Sequence, residues 1–215
     1  MKSDSLSWKN KKDIDFLVEV LKQENVVAGS SDTVLGFLAP LTNSGFEKLN
    51  FLKGRQKKPY LLLIGSKEKC SNFSDCCKNP DVKKIIDAFW PGPITMILKA
   101  KKSLPQFITS SSQAIALRMP LHKGLLNLLQ HFDGLFSTSI NKTGQPVCQK
   151  FSDIDEHVLK NVLHLIGENS DPKFVYPSTA STIIDCTASQ LKVVREGAIT
   201  CAEIERECGV PVVKR

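Results

Sequence analysis

The chain has 215 residues, 41% of them hydrophobic and 24% charged, and a formal net charge of +7. Such a composition fits one large α/β domain, or two small ones at most, and excludes a disordered or low-complexity chain. No apolar run approaches the length of a bilayer span, so a membrane protein is excluded and a soluble, cytoplasmic one expected; the positive excess suits an anionic partner, or simply a lysine-rich surface.

Residues 1–10 are polar and expected to fray. Ile14, Leu17, Val18 and Leu21 recur at helical spacing, which predicts an amphipathic helix over 11–24. "VVAGSSDTVLGFLA" reads as strand, turn, strand, with Gly29 to Asp32 as the break. "SGFEKLNFLKG" reads as a short helix stopped by Gly54. "YLLLIGS" is a buried strand, and a helix over 79–89 begins at Pro80 and ends at "WPGP". "ITMILKA" and "AIALRMP" are strands flanking a Ser-rich loop, and 121–132 suits a helix. "GLFSTSI" is a strand running into the turn "NKTGQP". Ser152 is expected to cap a helix reaching about residue 162. "LHLIG", "STIIDC" and "LKVVREG" are strands, and "TCAE" at 200–203 has capping-box spacing for a last helix. Between these, 167–180 is the least structured loop and a candidate for mobility.

Helices and strands are mixed throughout, and some strands follow one another without a helix. The order predicts an α/β fold: a single domain over 10–205, built on a twisted, mixed parallel and antiparallel sheet flanked by helices. Residues 1–9 and 206–215 are expected as flexible or peripheral termini.

Seven scattered cysteines, with no CxxC among them and no signal peptide, are expected as free thiols in a reducing compartment. A zinc site from Cys70, Cys76 and Cys77 lacks a partnered histidine spacing. Only five basic residues are arginines, and Arg55, Arg118 and Arg195 each border a predicted strand. Arginine's planar fork suits phosphate or carboxylate.

Four stretches lie where predicted strands meet loops. "SSDT" at 30–33 offers three hydroxyls and a carboxylate for a polar ligand, or is a capped turn. In "KGRQKK", Lys53 and Arg55 are two apart and could grip one phosphate, against the alternative of a solvated loop. Ser137, Ser139 and Asn141 alternate onto one side of a strand end, which suits neutral hydrogen bonding to a nucleotide or amino acid, or an ordinary polar edge. Arg118 ends a buried strand and needs an anion, from a protein carboxylate or a ligand. His122 is read as a surface histidine. No P-loop, GxGxxG, GxSxG or HExxH occurs, so a nucleotide must be held by another arrangement of cations and hydroxyls.

Taken in order, "SSDTVLGF", "KGR", "WPGPIT", "LRMP", "SINKTG", "ASTIID" and "REG" resemble the motifs of the YrdC-like family, the threonylcarbamoyl-AMP synthases, over about residues 14–200. The resemblance implies a twisted α/β sheet with a basic concave face. It also implies the joining of L-threonine, bicarbonate and ATP, with magnesium, into threonylcarbamoyl-adenylate and pyrophosphate. The product would pass to a threonylcarbamoyl transferase complex that modifies tRNA. By the same resemblance Lys53, Arg55, Ser139 and Asn141 are catalytic, and with Arg195 they hold ATP. Ser31, Arg118, Ser137 and Ser181 bind threonine, no protein metal ligand is implied, and the assembly is a monomer or homodimer.

The chain departs from the family pattern at Ser30-Ser31, which replaces Pro-Thr, at Leu35 in place of tyrosine, and near Leu63, where a histidine is usual. It also lacks the Gly-rich run before "STIID", and the added C-terminal domain of the longer subfamily is not expected. These changes cluster on the amino-acid side. Two alternatives stand beside the synthase. One is a divergent paralogue without synthase activity that binds tRNA or double-stranded RNA. The other is a related enzyme that uses another amino acid.

Overall fold

The computed structural model describes residues 6–54, 59–141, 145–162, 164–169, 171 and 173–214. Arg55, Lys57 and Lys58 of the basic loop therefore lie outside the described residues.

The eleven strands of the described residues are β1 (Leu6–Ser7), β2 (Val27–Gly29), β3 (Gly36–Pro40), β4 (Leu61–Leu63), β5 (Ile94–Lys99), β6 (Ala114–Arg118), β7 (Leu135–Ser139), β8 (Leu165–Gly167), β9 (Thr182–Asp185), β10 (Leu191–Arg195) and β11 (Val212–Lys214). They form one sheet in the order β1-β8-β2-β3-β7-β4-β6-β5-β9-β10-β11. Pairings β2–β3, β3–β7, β7–β4, β6–β5 and β9–β10 are antiparallel, and the other five are parallel. The mixed sheet expected from helix-free strand pairs is the one observed.

Seven helices among the described residues cover it: α1 (Lys11–Lys22), α2 (Asn43–Lys53), α3 (Cys70–Phe73), α4 (Pro80–Phe89), α5 (Lys123–Leu129), α6 (Glu156–Asn161) and α7 (Cys201–Cys208). Their ends follow local chemistry. Asn10 caps α1, Thr42 caps α2, and Gly54 closes α2 in the left-handed conformation at φ 56°. Thr200 and Glu203 form the expected capping box of α7.

Alternation along the strands divides the core. Ala28 and Phe37 join the larger cluster beneath α2 and α4, while Val27 and Leu38 join the cluster beneath α1 and α5. In the middle of the sheet Leu62, Phe136, Leu117 and Met96 are fully buried on the first face. Their neighbours Leu61, Ser137, Ala116 and Ile97, which point the other way, are only half-buried. The second face is thus left partly open between α5 and the β9–β10 end, and that opening is where the site forms.

Among the described residues, Leu6–Ser7 and Val212–Lys214 are the two edge strands of the sheet, and Trp8 is buried on the α1/α5 face. Several local expectations are corrected. Ser152 does not cap α6. The apolar Phe151 and Ile154 are both buried and hold 151–153 in a 3-10 turn, so the helix starts later, with Asp155 accepting from the His157 N–H. Among its described residues the 167–180 segment has no regular structure past β8, yet Tyr176 is buried against Phe151 at 5.1 Å and donates its N–H to the Gln149 carbonyl. Cys70 and Cys77 are not free thiols. The turn between α3 and a following 3-10 turn brings their Cα atoms to 6.4 Å, and a disulfide joins them.

Candidate active site

The open part of the second face is a cavity of about 330 Å³. Leu61, Ile97, Ala116 and Ile183, one from each of four strands, make an apolar floor. The polar groups stand around it where strands end and loops begin. Of the nine residues proposed from sequence, Ser31, Arg118, Ser137, Ser139, Ser181 and Arg195 all line this one cavity, although they are spread along most of the chain. Lys53 and Asn141 adjoin it through Ser139, and Arg55 lies outside the described residues.

Arg118 is 3% exposed at the end of β6, and the anion it required is Asp32. The guanidinium also donates to Thr33 Oγ1 at 2.8 Å and, through Nε, to the Gly92 carbonyl at 3.0 Å. Gly92 belongs to the "WPGP" stretch and donates its own N–H to the Met119 carbonyl at 2.8 Å, so that motif buttresses the arginine. Burial makes the Arg118 cation costly and lowers its pKa, an effect opposed by Asp32. The other Asp32 oxygen accepts from the Leu121 N–H at 3.0 Å. Ser31 turns inward on its own loop, donating to the Val34 carbonyl at 2.8 Å and meeting Thr33 Oγ1 at 3.2 Å.

Across the cavity, Ser181 is 5% exposed and shares a hydrogen bond with Thr95 Oγ1 at 2.8 Å. Arg195 is exposed and forks onto the Ser181 carbonyl, at 2.7 Å from Nη2 and 3.2 Å from Nε. A side chain at Gly197 would meet the Ala180 carbonyl at 2.1 Å, so glycine lets "REG" lie close enough for that grip. Although the residue as a whole is exposed, the protein around its guanidinium partly strips it of water, and this, then the positive charge of Arg118, lowers the Arg195 pKa.

At the third side, β7 carries Ser137 and Ser139, and Ser139 donates to Asn141 Oδ1. Lys53 lies beneath this turn at the end of α2, only 4% exposed. Its ammonium donates to the Ser139 carbonyl at 2.8 Å, to Asn141 Oδ1 at 3.0 Å and to the Asn141 carbonyl. A direct grip on a phosphate would require it to release those acceptors.

Two residues at the edge of the site were misread or missed. His122, read as a surface histidine, has a side chain 11% exposed: its Nδ1 accepts from the Leu125 N–H at 3.0 Å as the N-cap of α5, and its Nε2 meets Glu168. Glu168 was not singled out at all. It lies 138 positions from Ser30, to which it is hydrogen-bonded at 2.7 Å, and no local pattern links the two.

Comparison with known proteins gives the family and the fold. Residues 19–197 match the Sua5, YciO and YrdC family profile described as "Telomere recombination". A putative threonylcarbamoyl-AMP synthase of Methanocaldococcus jannaschii is 30% identical over 198 residues, covering 91% of each chain. A threonylcarbamoyl-AMP synthase of Klebsiella pneumoniae is 30% identical over 141 residues, covering 64% of this chain and 74% of its own. The crystal structure of P. abyssi Sua5 complexed with L-threonine superposes with a TM-score of 0.84 at 23% identity, over 95% of this chain; the match spans 59% of the Sua5 chain, less than two thirds of it.

Proposed function

The chain belongs to the Sua5, YciO and YrdC family, and from that membership we propose that it is a threonylcarbamoyl-AMP synthase. The observation that carries the reading is the meeting of Ser31, Arg118, Ser137, Ser139, Ser181 and Arg195 around one cavity in a chain whose end-to-end relative bears that name. The domain is taken as 10–205.

The threonine amine forms an N–C bond to the bicarbonate carbon while a C–O bond breaks and water leaves, giving a carbamate whose oxygen then attacks the α-phosphorus of ATP. A P–O bond forms to the carbamate while the bond to pyrophosphate breaks. Its barrier falls by alignment and by neutralising charge that grows on the phosphates. The Arg118 side suits the amino acid: the guanidinium keeps N–H groups beyond those given to Asp32, Thr33 and Gly92, and these can meet the threonine carboxylate. Ser31, Ser137 and Ser181 add neutral hydrogen bonds. Arg195, Ser139 and Asn141 serve ATP. Arg55 is assigned to the triphosphate from its place in "KGR". Lys53 supports the nucleotide side through the turn it holds.

Magnesium enters with the triphosphate as part of the substrate. Asp32, the carboxylate at this wall, is already engaged by Arg118 and the Leu121 N–H, and among the described residues no group of three His, Cys, Asp or Glu could hold a metal. Magnesium bound mainly through phosphates is a common arrangement. The adenylate would be handed to a threonylcarbamoyl transferase complex for tRNA. No helix among the described residues is long and apolar enough to cross a membrane.

The test is incubation of the full chain with MgATP, bicarbonate and labelled threonine. Threonylcarbamoyl-adenylate and pyrophosphate in equal amounts are expected; a folded protein that makes neither would overturn the proposal. Serine turned over in preference to threonine would point to another amino-acid substrate.

A further inference from the structure

Behind the cavity a chain of hydrogen bonds runs through four side chains from distant parts of the sequence. The Trp8 indole N–H donates to Ser30 Oγ at 3.0 Å. With that lone pair engaged, the Ser30 hydroxyl proton goes to Glu168 Oε2 at 2.7 Å. Glu168 Oε1 faces His122 Nε2. Because the Leu125 N–H donates to His122 Nδ1, that nitrogen bears the lone pair, and Nε2 must carry the proton pointing at Glu168. Every donor in the series meets an acceptor, and Glu168 is the acceptor common to both halves.

The series ends on the substrate loop. Ser30 is 1% exposed and lines the cavity, and its N–H donates to the Ile166 carbonyl at 3.0 Å. Ser31 follows it directly. Asp32 and Thr33 then bind Arg118. The loop is therefore fixed at one end by Glu168 and at the other by Arg118. The nucleotide-side residues Arg195, Ser139 and Asn141 make no hydrogen bond to this series.

We propose that Glu168 is a positioning residue for the amino-acid half of the site, holding the 30–33 loop through Ser30 and tying it to the start of α5 through His122. In a chain with Ser-Ser at 30–31, this carboxylate supplies stiffness that the backbone at that position does not. Removing it leaves the Ser30 hydroxyl and the His122 N–H without their acceptor, a loss felt first at Ser31 and Arg118. The role in catalysis rests on the synthase reading above; the role in fixing the loop does not.

Two measurements on the full chain separate these. In the ligand-free protein, Glu168→Ala is expected to speed hydrogen exchange at the 31–34 amides by about tenfold or more while exchange in the β7 strand is unchanged. In turnover, Glu168→Ala is expected to raise the threonine KM by about tenfold and to change the ATP KM by less than about twofold. Glu168→Gln, which keeps an acceptor for one of the two donors, is expected to fall between. The Ser30→Ala/Glu168→Ala double variant should be little worse than Glu168→Ala alone, because Ser30 acts through Glu168. Unchanged exchange at 31–34, equal rises in both KM values, or fully additive effects would overturn the proposal. If the wild-type chain makes no adenylate, the synthase reading fails and hydrogen exchange alone decides whether Glu168 fixes the loop. If Glu168→Ala does not fold, Glu168→Gln and Ser30→Ala carry the same comparison.

Discussion

Arg118 and Arg195 line the same cavity, and among the described residues only Arg118 has a carboxylate beside it. Asp32 answers the buried cation. Arg195 is held by Ser181 oxygens alone, and the charge of Arg118 raises the cost of its own. A second cation kept against that repulsion favours an anionic ligand between the two. Arg195→Ala is expected to raise the ATP KM by about 10- to 100-fold, with a smaller change for threonine. Arg195→Lys should recover only part of this, since an ammonium cannot fork onto the Ser181 carbonyl and a phosphate in the same way. Steady-state kinetics with each substrate varied in turn decides it; equal effects on both substrates would remove Arg195 from the nucleotide side.

Lys53 bears on stability as well as turnover. Its buried ammonium meets three acceptors in the Ser139–Asn141 turn. Lys53→Met keeps the aliphatic stem and removes the donors, leaving part-buried acceptors unsatisfied at about 1–3 kcal/mol. For a chain of this size that corresponds to a fall in melting temperature of about 2–12 °C. The same variant should lower turnover, because Ser139 and Asn141 lose their support. A phosphate clamp with no structural duty would lose activity at an unchanged melting temperature, so thermal unfolding alongside kinetics separates the two.

Most of the architecture was legible because it rests on local signals. Alternating or continuous apolar runs marked the central strands, Thr200 with Glu203 marked α7, and Gly54 marked the end of α2. The two edge strands were not legible: Leu6–Ser7 and Val212–Lys214 are too short for a periodic signal, and pairing with β8 and β10 makes them strands. Arg118's need for an anion followed from its place at the end of a buried strand, but that the partner is Asp32, 86 positions away, is a property of the fold. His122 was misread because its burial comes from Trp8 and Glu168, neither of them near in sequence. The cavity itself follows from α5 covering only part of one face, which no single segment announces.

The Asp32–Arg118 pair offers a test in which stability and activity diverge. Removing one partner of a buried ion pair leaves an uncompensated charge, a loss of about 3–5 kcal/mol. Asp32→Ala is therefore expected to be strongly destabilised in urea unfolding. The double variant Asp32→Leu/Arg118→Met removes both charges and should regain most of that stability, since apolar replacements of buried pairs are often neutral. It should remain inactive with threonine, having lost the cation assigned to the carboxylate. A double variant as unstable as Asp32→Ala would show that the loop needs Asp32 for its bond to the Leu121 N–H rather than for charge.

Glu168 gives the site a dependence on pH whose sign can be worked out. Burial raises its pKa, but hydrogen bonds from His122 and Ser30 outweigh that effect and hold the carboxyl below the ordinary glutamate range. The folded state thus prefers the ionised form more than the unfolded chain does. The resulting stabilisation is fully present above the unfolded pKa and is lost as pH falls through the folded value. With the side chain 36% exposed, the contribution is reduced by solvent screening, and a small effect is expected. Glu168→Gln cannot ionise and lacks this term. The stability gap between wild type and Glu168→Gln should therefore be widest near neutral pH and close in acid. Urea unfolding at a series of pH values measures it, and a gap that stays constant through the acid range would mean that the carboxylate charge plays no part in holding Ser30 and His122.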